Sequence, residues 1–348
     1  MRKHVKRACE IFRSLEEEYS DLPWIINFSG GKDSTVVLHL ALQYILEKGS
    51  NVKLHVIYNE TYLDIPIIRN YVYKVFRKLK RFCKENSLNV ELHIIEPPVG
   101  KDFFTLVIDR GWPLPRVYKH APWCVKELKM RPTAKYLLSR GMKNVIYITG
   151  LRFEESIKRR KSMENIGFNK PISLVEKEYL GKTIAVSPIF SWSSKDVFQF
   201  LRRNKPPYMK SYRELIRLYS LYGSNDKLRT GCWTCTLINK DTMLNNLAKY
   251  NPEFGIVLDV KEEMRRISEN PKYREKVSKN GFPKGKLTLE GRRQIISSLC
   301  KLLRSKVGVE ILKPYIEKRF LRNQLGKWLA SCVHEKTCFN CYVDLFAF

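Results

Sequence analysis

The chain has 348 residues, 44% of them hydrophobic, which is enough apolar content for a large core and excludes wholesale disorder. Sixty-four Lys and Arg against 35 Asp and Glu leave a formal charge of +29. That is far beyond what solubility requires, so a polyanionic partner, nucleic acid above all, is expected. No apolar run approaches the roughly 20 residues of a membrane helix, and Met1-Arg2-Lys3-His4 lacks an apolar signal core, so a cytoplasmic protein without membrane contact is expected.

Residues 1–20 read as an amphipathic helix. Trp24 to Phe28 is a short apolar strand, followed by Ser29-Gly30-Gly31-Lys32-Asp33-Ser34 and an apolar helical stretch from Thr35 to Leu46. Val52 to Tyr58 is a second strand, Ile67 to Cys83 a basic helix, Val90 to Ile95 a third strand, Asn144 to Thr149 a fourth and Ile184 to Ile189 a short fifth. Strands alternating with helices predict an α/β fold with a mostly parallel, doubly wound sheet. After Ser191 the strand signals stop, and helices are predicted over Ser193–Arg203, Tyr212–Tyr222, Thr242–Tyr250, Pro252–Ile267, Leu289–Leu303 and Val309–Ala330. The expected division is a strand-and-helix domain over 1–195 and a helical region over 196–348.

The segment from Ser29 to Ser34 carries the first chemistry. Two glycines let a backbone turn tightly and approach an anion, and the free amides at a helix N-terminus attract phosphate or sulfate. Ser29, Ser34 and Thr35 add hydroxyls, and Lys32 adds charge. The spacing differs from the Walker loop, whose glycines are separated by four residues. Asp33 is a candidate magnesium ligand or cap of the following helix.

Nine cysteines in a chain of this type point to metal or catalysis rather than disulfides. Cys9, Cys83 and Cys300 sit singly in apolar helical patterns and read as packing residues. Gly231-Cys232-Trp233-Thr234-Cys235 is a CxxC in a loop, and Trp123-Cys124 precedes a basic segment with Lys126, Lys129 and Arg131. A CxxC serves zinc, redox dithiol and iron–sulfur sites alike. Cys332, His334, Cys338 and Cys341 form a second soft-ligand group at the C-terminus, suited to zinc, to a fourth cluster position or to carrying sulfur.

Ser29-Gly30-Gly31-Lys32-Asp33-Ser34 resembles the PP-loop of ATP pyrophosphatases and of the phosphoadenosine-phosphosulfate-reductase superfamily. The resemblance extends through Tyr58-Asn59-Glu60-Thr61 to Pro66, with Glu60 in the acidic place. It continues in Gly150-Leu151-Arg152-Phe153-Glu154-Glu155-Ser156 to Arg159, and in Ser187-Pro188-Ile189 with Trp192 and Asp196-Val197. It implies an adenine-nucleotide site, for ATP or a sulfonucleotide, built from Ser29, Gly30, Gly31, Lys32, Asp33, Ser34, Thr61 and Gly150. Lys32, Asp33, Arg152 and Arg159 would act on the reacting groups, the arginines meeting the negative charges as guanidinium forks do, with Mg2+ as counterion. The upstream Cys124 with Cys232 and Cys235 resembles the ligand set of iron–sulfur members, which implies a 4Fe-4S cluster.

Within the superfamily, Pro113-x-Pro115, Trp123-Cys124, Gly231 to Thr236, Lys240-Asp241 and Leu287 to Arg293 are most similar to the Dnd-type DNA phosphorothioation sulfurtransferases. That resemblance implies a sulfurtransferase that activates a nucleic-acid acceptor with ATP, DNA ahead of RNA, with a cysteine desulfurase as sulfur donor. The alternatives are a phosphoadenosine or adenosine phosphosulfate reductase, a tRNA thiolase, and a non-catalytic nucleic-acid-binding module. The reductase motif Glu-Cys-Gly-Leu-His is absent from the C-terminus, and a Trp-Cys stands where cluster-bearing reductases have adjacent cysteines.

Overall fold

The computed structural model describes residues 1–115, 122–153, 170–177, 181–223, 231–238 and 240–316. They divide into two compact units that interleave along the chain. The first comprises Met1–Glu60, Ile67–Ile95 and Arg131–Thr230, the second Thr61–Pro66, Glu96–Met130 and Gly231–Phe348. A single division at residue 195 is therefore corrected: the loop after the second strand and the stretch after the third leave the first unit to join the second.

The first unit is built on strands β1 (Trp24–Asn27), β2 (Leu54–Asn59), β3 (Val90–Ile95), β4 (Ile146–Ile148), β5 (Ile172–Lys177) and β6 (Gly181–Val186). Their order in the sheet is β3-β2-β1-β4-β6-β5. Every pair is parallel except β5 with β6. The α/β, mostly parallel sheet is thus present, with one antiparallel edge strand that periodicity did not reveal. Strand order reverses direction at β1, because β2 and β3 lie to one side and β4 to the other. In open α/β sheets the crevice beyond the carboxyl ends at such a reversal is where ligands bind.

Helices cover both faces. On one, Ile25, Ile57, Ile95, Val145 and Tyr147 pack with Leu137 of α4 (Arg131–Ser139). On the other, the Trp24 ring lies 5.2 Å from Phe12 of α1 (Arg2–Glu18) and 6.0 Å from Tyr44 of α2 (Lys32–Lys48). α3 (Pro66–Glu85), α5 (Ser194–Arg203) and α6 (Arg213–Tyr222) complete the unit. α5 starts with a capping box: Ser193 Oγ accepts from the Asp196 amide, and the Asp196 carboxylate accepts from the Ser193 amide.

The second unit contains helices α7 (Thr242–Tyr250), α8 (Glu253–Glu269), α9 (Leu289–Cys300) and α10 (Lys306–Ile316). Asp241 caps α7 through the Leu244 amide at 3.0 Å and pairs with the buried Lys261 at 2.5 Å. The unit is not purely helical, since β7 (Arg274–Val277) and β8 (Pro283–Leu287) form an antiparallel hairpin. Its residues, Arg-Glu-Lys-Val and Pro-Lys-Gly-Lys-Leu, are mostly polar and exposed, so no apolar alternation announced it. No helix among the described residues is long and apolar enough to cross a membrane.

Candidate nucleotide site and cysteine cluster

β1 ends at Asn27, and the chain turns through Ser29 and Gly30 into α2. Gly30 has φ +71°, and a Cβ there would sit 2.4 Å from Val72 Cγ2 of α3, so both the conformation and the space demand glycine. Gly31 is the N-cap of α2, which leaves Asp33 inside the first turn and rules it out as the cap. Around this turn Ser34 Oγ and Thr35 Oγ1 donate to the Gly31 carbonyl at 3.0 and 2.9 Å. The Ser29 amide donates to Ser34 Oγ at 3.3 Å. The hydroxyls therefore fix the loop, and the 17-residue α2 points its N-terminal amides and partial positive charge into the crevice at the strand-order reversal.

The charged residues are arranged in a chain. Lys32 is 3% exposed; its ammonium donates to Asp33 Oδ2 at 3.0 Å, and its amide donates to the Tyr219 hydroxyl at 3.0 Å. Asp33 Oδ1 accepts from Arg152 Nε at 2.8 Å. Arg152, itself 1% exposed, also donates to the Trp192 carbonyl at 3.2 Å and to Ser194 Oγ at 3.0 Å. This corrects two expectations. Arg152 is turned inward as a clamp on Asp33 rather than outward to a phosphate. Both carboxylate oxygens of Asp33 are engaged by cations, so a magnesium ion would have to displace one of them.

Gly150 serves the same clamp, since a Cβ there would lie 3.0 Å from the Asp33 backbone carbon. The capping box at Ser193 and Asp196 fixes the start of α5, which supplies Ser194 to the guanidinium. Glu60, fully buried at the end of β2, accepts from Arg69 Nε at 2.8 Å and from the Tyr73 hydroxyl at 3.1 Å. Arg159 lies outside the described residues.

On the outer surface of this unit, α3 presents Lys74, Arg77, Lys78 and Arg81 along one face. With Phe82, Glu85, Tyr208 and Lys210 they line a cavity of about 930 Å³. Lys74 is neutralised by Glu214 at 2.5 Å, while Arg77, Lys78, Arg81 and Lys210 are exposed. Here the +29 balance becomes a local surface on which exposed cations outnumber Glu85.

In the second unit, Cys124, Cys232 and Cys235 line one cavity of about 190 Å³ together with Lys129, Thr61, Phe103, Pro115 and Leu128. All three are free thiols. The loop is held by an isolated bridge between Asp64 and Cys232 and by the Trp233 amide donating to the Leu63 carbonyl at 3.0 Å. The Cys235 amide closes the CxxC turn onto the Cys232 carbonyl at 3.0 Å. Trp233 is fully buried, and Trp123 stacks on Phe103 at 5.3 Å while donating to the Pro113 carbonyl. Thr61 belongs to this cavity.

Burial pushes the Cys124 thiol up to about 11 and that of Cys232 up to about 12. Lys129 opposes both shifts. Burial works against its own charge, but Cys232, Asp64, Cys124 and Cys235 outweigh that and raise its pKa. Lys129 sits in a π-helical turn, Lys126–Met130, between a turn at Trp123–Val125 and α4. Such bulges re-aim side chains and recur at functional sites. In sequence Lys129 belongs to a basic segment with Lys126 and Arg131; in the structure its place is among the cysteines.

Three convergent thiols and a cation in an apolar cavity fit a thiolate-ligated metal centre. Soft ligands suit iron–sulfur clusters, and the ammonium offsets negative charge that burial would otherwise penalise. Cys332, Cys338 and Cys341 lie outside the described residues.

Residues 23–238 match the model of the phosphoadenosine phosphosulfate reductase domain. A protein of Methanocaldococcus jannaschii, the uncharacterized protein MJ0066, is 27% identical over 221 residues, which is 64% of this chain but only 38% of that protein's length. The crystal structure of the phosphoadenylyl-sulfate reductase of Candida auris in its phosphate complex is similar over 66% of this chain and 90% of its own, at 18% identity and a TM-score of 0.41. The U34-tRNA thiolase of Methanococcus maripaludis with its 4Fe-4S cluster is similar over 76% and 81%, at 11% identity and a TM-score of 0.39.

Proposed function

This chain belongs to the phosphoadenosine phosphosulfate reductase domain family, and on that premise we propose that it is an ATP-dependent sulfurtransferase acting on a nucleic-acid backbone, DNA first. The observation that carries this reading is the gathering of Cys124, Cys232 and Cys235 around Lys129 in one cavity. An intact PP-loop on the same chain supplies the nucleotide half of the chemistry. Cys124, Cys232 and Cys235 would hold a 4Fe-4S cluster, which when bound supplies an iron site able to take sulfide.

The chain's own residues account for the activation step. ATP would lie with its pyrophosphate over the amides at the N-terminus of α2, displacing the Tyr219 hydroxyl from that of Lys32. A non-bridging oxygen of the acceptor phosphate attacks the α-phosphorus, the bond from that phosphorus to the bridging oxygen breaks, and pyrophosphate leaves. Negative charge grows on the leaving group, where preorganised amides and the helix N-terminus stabilise it most. Lys32 stands at the same turn, held against Asp33 until a phosphate competes for it. A sulfur nucleophile at the level of sulfide then attacks the acceptor phosphorus, and AMP departs with the original oxygen. No net oxidation or reduction is needed.

The basic surface of α3 supports a phosphate-backbone acceptor, because Arg77, Lys78 and Arg81 repeat at helical spacing on one face. Finer identity of the acceptor rests on the likeness of the Trp-Cys and Gly-Cys-Trp-Thr-Cys segments to Dnd-type sulfurtransferases. The test is anaerobic purification, with iron and acid-labile sulfide analysis and binding of ATP against phosphoadenosine phosphosulfate. Iron and sulfide near four each per chain, with ATP preferred, are expected. Zinc in place of iron, or a protein that binds only the sulfonucleotide, would overturn the reading.

A further inference from the structure

β2 and β3 carry a second cluster of ligating side chains that the nucleotide and cysteine chemistry does not use. In their parallel register His55 stands opposite Glu91, and Ile57 opposite His93. Because side chains alternate along a strand, His55, Glu91 and His93 share one face of the sheet. His55 Nδ1 lies 2.9 Å from His93 Nε2. Glu91 Oε2 is 3.8 Å from the first nitrogen and 3.6 Å from the second. All three atoms fall within 4.8 Å of one another. Two ring nitrogens at hydrogen-bond distance share a single proton, so at least one directs a bare lone pair at the other and at the carboxylate.

The groups behind His93 and Glu91 are set as metal ligands require. His93 Nδ1 is 2.7 Å from the Tyr136 hydroxyl, which orients the ring. Glu91 Oε1 is held by Lys53 Nζ at 3.1 Å, which leaves Oε2 turned to the rings. His55 is 1% exposed, and its Nε2 has no hydrogen-bond partner among the described residues, so its polar contacts here are made through Nδ1. Glu91 is over a third exposed, which gives an ion an entry path and a place for a water ligand.

We propose that His55, Glu91 and His93 bind a divalent transition metal of the zinc class, at a site separate from the cysteines. Two imidazoles and one carboxylate are a donor set that zinc, nickel and cobalt accept, leaving a fourth position for solvent. A tetrahedral ion about 2.0–2.1 Å from each nitrogen needs roughly 3.3 Å between them. Binding therefore parts the rings by about 0.4 Å, a small shift against Tyr136. The ligands carry one negative charge in total, and Lys53 with Arg140 adds positive charge nearby, so the affinity is moderate. The consequence is structural: β3 is the edge strand, and the ion ties it to β2.

Cobalt(II) titrated anaerobically into the full chain separates this site from the thiols, because thiolate ligation adds a sulfur-to-cobalt charge-transfer band and imidazole ligation does not. One equivalent lacking that band is expected. Glu91→Gln, an isosteric change at the exposed rim, weakens it at least tenfold, as does His93→Asn. Zinc should raise the unfolding midpoint of the parent by more than that of Glu91→Gln, which keeps the cysteines and whose metal-free midpoint matches the parent's. Absence of any cobalt signal free of the sulfur band, or a signal of full strength in both variants, would overturn the assignment.

Discussion

Arg152 donates its Nε proton to Asp33 Oδ1 at 2.8 Å across a sequence separation of 119 residues, and this contact ties the start of α2 to the chain beyond β4. The guanidinium is 1% exposed and the carboxylate 19%. Removing Arg152 leaves Asp33 to Lys32 alone and takes the guanidinium donor from Asp33 Oδ1, the Trp192 carbonyl and Ser194 Oγ. Arg152→Ala is expected to destabilise the fold by about 3–5 kcal/mol, and to weaken ATP binding at least tenfold through displacement of Asp33 and Lys32. Arg152→Lys keeps the charge but loses the fork to Trp192 and Ser194, and should recover only part of either loss. Calorimetric ATP affinity with a denaturation curve checks both; wild-type affinity in Arg152→Ala would remove Arg152 from the site.

Gly30 offers a sharper test of the loop. Gly30→Ala must hold φ near +71° and push Val72 Cγ2 from 2.4 Å. A loss of roughly 1–3 kcal/mol is expected from overpacking, together with loss of nucleotide binding. Pairing it with Val72→Ala should restore stability in part while ATP affinity stays low, since the backbone strain remains. Recovery of full affinity in the pair would show that the conformation of Gly30 does not matter.

The metal-free thiols give a pH signature. Burial holds Cys232 at about 12 and Cys124 at about 11, both above the ordinary 9.0. A proton held more tightly in the folded state stabilises it at pH below the unfolded value and is lost as pH rises through the folded one. Metal-free protein should therefore lose stability progressively from pH about 9 upward, and its Cys232 should alkylate slowly at neutral pH. Protein loaded with its metal centre should show neither dependence. Fast neutral-pH alkylation of Cys232 in folded metal-free protein would contradict the burial argument.

For the basic surface, the measurable quantity is the salt slope. Each phosphate neutralised contributes about 0.9 to the logarithmic salt dependence on duplex DNA. Arg77→Gln, Lys78→Gln and Arg81→Gln combined should lower the slope by up to about 3. The same number of changes at exposed lysines of the β7–β8 hairpin should leave it nearly as it was. Equal effects from both sets would mean diffuse charge rather than a binding face.

The loop from Ser29 to Ser34 was legible because its chemistry is local: strand, glycines and helix are neighbours in sequence. The cysteine trio was legible as a set, since paired soft ligands have few other uses. The direction of Arg152 was not, because its three acceptors come from Asp33, Trp192 and Ser194, which only the folded unit brings together. The place of Lys129 among the cysteines was not legible for a related reason, since a π-helical turn positions it and its neighbours there come from distant segments. β7 and β8 lack apolar alternation, and β5 is an edge strand with Leu174 at 65% exposure, so periodicity missed all three. His55, Glu91 and His93 become a group only once strand register is known.

The central claim is ATP-driven sulfur transfer that depends on the cysteine trio. Its most direct test is pyrophosphate release from ATP by cluster-loaded protein given DNA and sulfide, compared with Cys232→Ala. The account predicts release that requires both DNA and sulfide, in step with phosphorothioate appearing in the DNA, and its loss in Cys232→Ala while ATP still binds. Sulfite release from phosphoadenosine phosphosulfate without ATP consumption, or undiminished transfer in Cys232→Ala, would contradict it.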